Sequence, residues 1–113
     1  MNDRQKTGSR GEKRAAAYLK KQGYRIICMN HRSPLGEVDI IASKEQTVVF
    51  CEVKARADQS YGLGREAVGR TRMQRYRNAA SEFLKSHGLH GASVRFDVIE
   101  LCGEDITHIQ GAF

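Results

Sequence analysis

The 113-residue chain is long enough for one modest domain around a single core. No stretch is long and apolar enough to cross a membrane, and the charged N-terminus lacks the apolar segment of a signal peptide, so we expect a cytoplasmic protein. The 19 Lys and Arg against 13 Asp and Glu give a net charge of +6, which favours polyanionic partners.

The first predicted element is a helix. Residues 1–8 are polar and are expected to be frayed. Ser9 is predicted to cap a helix that runs to about Gln22, with Glu12 completing a capping box. Gly23 is suited to end it.

Three strands are predicted next. The apolar run from Tyr24 to Asn30 indicates a largely buried strand. A turn at 33–36 follows, and then two strands at about 36–43 and 47–56 form a hairpin. The polar segment 57–64 is expected to be an exposed, flexible loop.

A second helix is predicted over about 65–86, ended by His87-Gly88. A strand at 93–101 and a short edge strand near 105–109 complete the chain. The strand after this helix should enter the sheet parallel to the strand before it. We therefore predict one α/β domain over 1–113, with a central mixed sheet flanked by helices in the order αβββαβ. The core-facing positions of the second helix are Tyr76, Ala79, Ala80, Phe83 and Leu84.

The cysteines and histidines suggest no metal site. The three cysteines lie far apart in apolar, strand-like runs, which is typical of reduced core thiols rather than of disulfides or a zinc site. The four histidines show no ligand spacing with them and are expected at the surface or in loops. These residues are Cys28, Cys51, Cys102, His31, His87, His90 and His108.

The hairpin register brings acidic residues together. If the turn is centred between residues 45 and 46, Asp39 lies opposite Glu52, and Glu37 lies opposite Lys54. Opposed residues share a face with Cβ atoms about 4.5–5.5 Å apart, and like charges so placed are destabilising. A divalent ion between the two acids would relieve this repulsion, and Mg²⁺ typically takes one or two carboxylates plus substrate phosphates.

Such a patch supports metal-assisted hydrolysis of a phosphodiester. Asp39 and Glu52 would hold the ion, with the carbonyl of Val53 as a further ligand. Lys54 would orient the attacking water or balance the charge on the phosphate. The pattern also fits a solvated ion-pair network, in which Asp39 caps the hairpin and Glu37 pairs with Lys54.

Basic residues cluster around two regions. One cluster lies between positions 65 and 77 and the other near the N-terminus, and both suit a polyanion whose counterions are released on contact. A solvated helix face would explain them equally well. The candidate nucleic-acid-binding residues are Arg10, Arg56, Arg65, Arg70, Arg72 and Arg75.

An ordered set of motifs spans about residues 9 to 100. The motifs are Gly11-Glu12-x-x-Ala15-x-x-Tyr18-Leu19, Gly23-Tyr24, Asn30, Arg32, Gly36-Glu37-Val38-Asp39-Ile40-Ile41-Ala42, Val49-Phe50-Cys51-Glu52-Val53-Lys54-Ala55-Arg56, Glu66-Ala67-Val68 and Arg95-Phe96-Asp97-Val98. This set resembles the YraN-like family, which is similar to the archaeal Holliday junction resolvases and to the PD-(D/E)XK nucleases. The resemblance implies a restriction-endonuclease-like fold.

The resemblance also implies roles at the matching positions. Asp39, Glu52 and Lys54 match the two acids and the lysine of the nuclease motif, and Glu12 matches a helical glutamate that resolvases bring to the metal site. Arg72 stands where the family often carries lysine, so it suits a phosphate-gripping role better than proton transfer. Glu37 belongs to the family pattern without an assigned role.

Two functions follow as hypotheses. The first is an endonuclease that uses Mg²⁺ or Mn²⁺ to cleave structured or branched DNA, with no small-molecule cofactor. The alternative is a nucleic-acid-binding module that keeps the nuclease fold without cleaving. A branched substrate favours a twofold homodimer, in which the 57–64 loop would be exchanged between protomers.

Overall fold

A computed structural model describes residues 3–56 and 69–113, with the side chains of residues 10–55 and 69–113. Two helices and five strands lie in these ranges. They are α1 (Asp3–Lys21), β1 (Arg25–Ser33), β2 (Gly36–Lys44), β3 (Thr47–Arg56), α2 (Arg70–Ser86), β4 (Ser93–Cys102) and β5 (Asp105–Ile109).

The strands form one mixed sheet in the order β1-β2-β3-β4-β5. β3 and β4 are parallel, and the other neighbouring pairs are antiparallel. The parallel pair is the one joined through α2, as the crossover argument requires. This confirms an α/β fold with a mixed sheet flanked by helices and the element order predicted up to β5.

Alternation along β3 divides the core into two layers. Val48 and Phe50 pack with α2, whereas Val49 and Cys51 pack with α1 on the opposite face. A central strand covered on both faces is apolar at successive positions, which explains the continuous run in the sequence. The period-two alternation of side chains along a strand accounts for this division between the two faces.

Both helix starts differ from the prediction. α1 begins at Asp3, so Ser9 lies inside the helix and the predicted capping box is wrong. No proline interrupts the residues before Ser9, and a capping signal does not end a helix that can continue through it. α2 begins at Arg70 rather than near residue 65, because Gly69 is extended with φ −73° and ψ 164°.

β1 is also longer and more exposed than predicted. It occupies one edge of the sheet and runs to Ser33, with half-buried and exposed residues in near alternation. The expectation of a largely buried strand is therefore wrong, because within the described ranges β1 is an edge strand that pairs with β2 alone. The predicted 57–64 loop, with its exchange between protomers, lies outside the described residues.

Gly36 allows the start of β2 to approach α2 closely. A β-carbon at this position would lie 2.8 Å from the carbonyl oxygen of Arg75 and 3.1 Å from its Cβ. We expect Gly36→Ala to lower the free energy of unfolding by about 1–3 kcal/mol, because the backbone of α2 must move. Urea denaturation would measure the loss.

Gly91→Ala is the matched control for this substitution, because a β-carbon there meets nothing within 4 Å. Its stability should change by no more than about 0.5 kcal/mol. Equal stability of the two variants would show that the contact between Gly36 and α2 imposes no constraint.

Candidate active site

Asp39 occupies an irregular point of the sheet. Among the described residues, the β1–β2 register passes from Met29↔Ile40 to His31↔Val38 without an Asp39 pair, and the β2–β3 register ends at Ile40↔Cys51. Ile40 packs with α1, but Val38 packs with α2 although it lies two residues away. Strict alternation would place both on one face, so the strand changes its twist around Asp39.

Tyr76 of α2 lies where β2 and β3 separate. Its hydroxyl accepts a hydrogen bond from the backbone N–H of Asp39 at 3.3 Å and donates one to the carbonyl of Cys51 at 3.4 Å. The Tyr76 side chain is almost fully buried. The hydroxyl thus joins two backbone groups on neighbouring strands and supports the opening between them.

The carboxylate of Asp39 reaches across this opening. Its Oδ2 accepts a hydrogen bond from the backbone N–H of Val53 at 2.8 Å. Ser43 pairs with Val48 as predicted, but the regular ladder stops one residue before Asp39 and Glu52. The expectation that these two acids form a directly opposed ladder pair is therefore wrong, because Asp39 contacts β3 through its side chain.

The acids nevertheless interact electrostatically. The pKa of Asp39 is raised to about 7, first by burial and then by the charges of Glu52 and Glu12, against the opposing effects of the Val53 N–H and Arg72. Glu12 comes from α1, whereas Arg72 comes from α2. Charged residues from both helices therefore act on the carboxylate of Asp39, which lies at the opening between β2 and β3.

Glu52 is the most completely buried acid of the site, with a side chain only 2% exposed. It shares the α2 face of β3 with Phe50. Arg72 binds both of its oxygens, through Nε to Oε2 and Nη2 to Oε1, each at 2.9 Å. The Nζ of Lys54 lies 3.5 Å from Oε1, so two cations neutralise this carboxylate.

A cavity of about 390 Å³ adjoins this ion pair. It lies between the start of β2 and the first turns of α2, and Arg72 is part of its wall. Glu37, for which the sequence suggests an ion pair with Lys54, is exposed and lines the same cavity. The lining residues are Glu37, Gly69, Thr71, Arg72, Arg75 and Tyr76.

The carboxylates of Asp39 and Glu52 suit a small ion that takes few oxygen ligands from the protein better than an ion that is held by many side chains. No group of three or more His, Cys, Asp or Glu side chains in the described ranges is arranged to hold a metal. Asp39 and Glu52 alone match the one or two carboxylates that Mg²⁺ typically takes, with water and phosphate completing its shell. The pKa of Asp39 is raised first by burial and second by the charge of Glu52, and a divalent ion would oppose both effects.

The pH dependence of stability should follow from Asp39. Its pKa is raised from 3.8 in the unfolded chain to about 7 in the folded protein. The stability that such a group contributes is fully present when the pH is below the unfolded pKa, and it is lost as the pH rises through the folded pKa. We expect metal-free protein to lose on the order of 2–4 kcal/mol between pH 5 and pH 8. Urea denaturation at several pH values would measure this slope.

Asp39→Asn is the variant that isolates the carboxyl in this measurement. It keeps an oxygen that accepts from the N–H of Val53 but cannot ionise. Its stability should change much less over the same pH interval. An identical slope in the two proteins would contradict the shifted titration of Asp39.

The predicted nucleic-acid-binding arginines are only partly brought together. Arg72 and Arg75 line the cavity, and Arg70 lies exposed at the start of α2. Arg10 is exposed on α1. Arg65 and the side chain of Arg56 lie outside the described residues.

A second polar cluster on the α1 face was missed in the sequence. Asp97 of β4 is fully buried and accepts two hydrogen bonds from Arg95 at 2.9 Å, one from the N–H of Gly111 at 3.0 Å and one from His108 at 2.6 Å. Burial alone would raise the pKa of Asp97, but these hydrogen bonds together hold it below its ordinary value. The cluster fastens the end of the chain to β4.

His108 corrects the expectation that all four histidines are surface or loop residues. Its side chain is only 6% exposed, and it lies on β5 between Asp97 and the Tyr18 hydroxyl, which is 3.1 Å from its Nδ1. The one available signal was an acid at position 97 within an apolar strand, since a buried acid requires partners. All three cysteines are free thiols, but of the three predicted core thiols only Cys51 is fully buried, whereas Cys28 and Cys102 are half-buried.

Fold and site together define a small α/β protein whose central strand carries a buried glutamate beside an aspartate with a raised pKa. The chain belongs to a family described as "Uncharacterised protein family UPF0102", whose model matches residues 11–101. A UPF0102 protein of Desulfosudis oleivorans is 44% identical over 115 residues, covering 100% of this chain and 94% of that protein. One of Moorella thermoacetica is 45% identical, covering 85% of this chain and 80% of its own length. Neither α1 nor α2, the helices of the described ranges, has the length and apolar character of a membrane span.

Proposed function

We propose that this chain is a divalent-ion-dependent endonuclease that hydrolyses phosphodiester bonds in structured or branched DNA. One observation carries the proposal: a carboxylate with a pKa raised to about 7 lies within the electrostatic reach of a buried glutamate. Perturbed acids of this kind concentrate at functional sites. The resemblance to resolvases and PD-(D/E)XK nucleases in the sequence motifs supports the same choice.

The roles of the residues follow from their positions. Asp39 and Glu52 would hold Mg²⁺ or Mn²⁺, which when bound polarises a phosphate and lowers the pKa of a coordinated water. Lys54 is 30% exposed and would be able to reach that water or the phosphate from beside Glu52. The contributions of Glu12 and of the Val53 carbonyl to the ion remain part of the proposal.

Binding of the substrate would use the cavity beside α2. Arg72 and Arg75 line it, and the N-terminus of α2 has neither a side-chain cap nor an acidic residue in its first turn. Free N–H groups at a helix N-terminus favour a phosphate. The rest of the basic surface would follow the backbone, and a twofold dimer would match a branched substrate.

Cleavage of defined substrates tests the proposal. Four-way junctions, flaps, linear duplexes and single strands would be incubated with purified protein and Mg²⁺ or Mn²⁺. We expect nicked products from a branched substrate that require the ion and disappear with a chelator. Intact substrates under every condition, with protein that is folded, would contradict an endonuclease.

A second function has support from a different observation. Both oxygens of Glu52 are already bound by Arg72, and Lys54 adds a further charge, as in a closed structural ion pair. This arrangement favours a nucleic-acid-binding module that does not cleave. Salt-dependent binding of a junction without cleavage, unchanged in Glu52→Gln, would select this alternative.

A further inference from the structure

Arg72 has two possible anionic partners at the site. Its guanidinium binds Glu52 through Nε and Nη2, and these two contacts use only two of its five N–H donors. The side chain is 48% exposed and forms part of the cavity wall, whereas that of Glu52 is only 2% exposed. The arginine can therefore turn towards solvent, but the glutamate cannot.

A divalent ion and Arg72 would compete for Glu52. Arg72 lies 2.9 Å from each carboxylate oxygen, and a cation bound to either oxygen would stand beside a fixed positive charge. Like charges at such a distance repel strongly in a partly buried site. Glu52 therefore cannot coordinate the ion with both oxygens while Arg72 remains bound to both of them.

From these contacts we infer that Arg72 is a switch that couples ion binding to nucleic-acid binding. With no ion present, it covers Glu52 and is withheld from the substrate. When an ion takes Glu52, Arg72 turns into the adjoining cavity and binds a phosphate of the backbone. The inference rests on the proposed function, since it concerns the same carboxylate and the same substrate class.

The switch predicts a gain of function that a structural ion pair would not produce. Arg72→Gln should bind Mn²⁺ about tenfold more tightly than wild type, measured by calorimetry without nucleic acid. Added Mn²⁺ should also raise the Tm of Arg72→Gln more than that of wild type, because the ion replaces the lost charge beside buried Glu52. Arg77→Gln, an exposed arginine on the same helix, is the control for net charge and should bind Mn²⁺ as wild type does.

The coupling has its own readout with four-way junction DNA. Ca²⁺ prefers oxygen ligands and would be the ion used here. Binding of the junction would be measured by fluorescence anisotropy in Ca²⁺ and in chelator. Arg72→Gln should weaken binding in Ca²⁺ by about tenfold but change it little in chelator. Arg77→Gln should have equal effects in both conditions, since its charge is not exchanged between partners.

Each outcome decides between the switch and its failure. Tighter Mn²⁺ binding by Arg72→Gln, together with a junction defect confined to Ca²⁺, supports the switch. Unchanged or weaker Mn²⁺ binding by this variant, with wild type binding and cleaving, overturns the switch and leaves the endonuclease standing. Absence of Mn²⁺ binding by both proteins at millimolar concentration overturns the switch and the proposed function together.

Discussion

Replacing Glu52 by glutamine is expected to lower cleavage of a branched substrate by at least about 10²–10³-fold. The substitution removes the charge that would hold a divalent ion, and charge stabilisation of this kind supplies several kcal/mol to phosphodiester hydrolysis. Glutamine keeps an oxygen that Arg72 can bind, so the fold should remain. Single-turnover cleavage with saturating protein would measure the rate free of binding effects.

Glu104→Gln is the matched control for this experiment, because Glu104 is an exposed acid in the turn between β4 and β5. It should cleave at the wild-type rate, whereas Asp39→Asn should be impaired as severely as Glu52→Gln. Junction binding in chelator should be similar in wild type, Asp39→Asn and Glu104→Gln. Full cleavage by Glu52→Gln would eliminate the site as an active centre.

The hairpin explains how much of the site could be predicted from the sequence. The polar tip between β2 and β3 fixes the pairing of Ser43 with Val48, and period-two alternation then assigns the faces of β3 correctly. Extrapolation by four residues to Asp39 fails. Asn30, in the neighbouring strand β1, has a left-handed backbone conformation with φ 55°. Counting residues along β2 cannot predict this conformation.

Contacts between distant elements account for what the sequence leaves out. Helical periodicity correctly assigns Tyr76 to the core. It does not predict the backbone groups of β2 and β3 with which the Tyr76 hydroxyl forms hydrogen bonds. Arg72 is readable as a basic residue, whereas its choice of Glu52 depends on how closely α2 packs. Gly36 sets that approach through its contact with Arg75.

Removing the carboxylate of Asp97 is expected to give the largest loss of stability in this protein. Asp97→Ala leaves Arg95 and the buried His108 without the anion that they share, and breaking a buried charged pair by removing one partner costs about 3–5 kcal/mol. The Gly111 N–H also loses its acceptor, so the end of the chain should detach from β4. Urea denaturation would measure the loss as a lower midpoint.

The pH dependence of this loss distinguishes the charge of Asp97 from its packing. Because folding lowers the pKa of Asp97, its contribution is present above the unfolded value near 3.8 and is lost as the pH falls through the lower folded value. The difference between wild type and Asp97→Ala should therefore be constant from pH 5 to pH 7 and shrink in stronger acid. Asp105→Ala, at an exposed acid of β5, should cost no more than about 0.5 kcal/mol throughout.

A loss below about 1 kcal/mol in Asp97→Ala would mean that the desolvation of this buried acid cancels the gain from its hydrogen bonds.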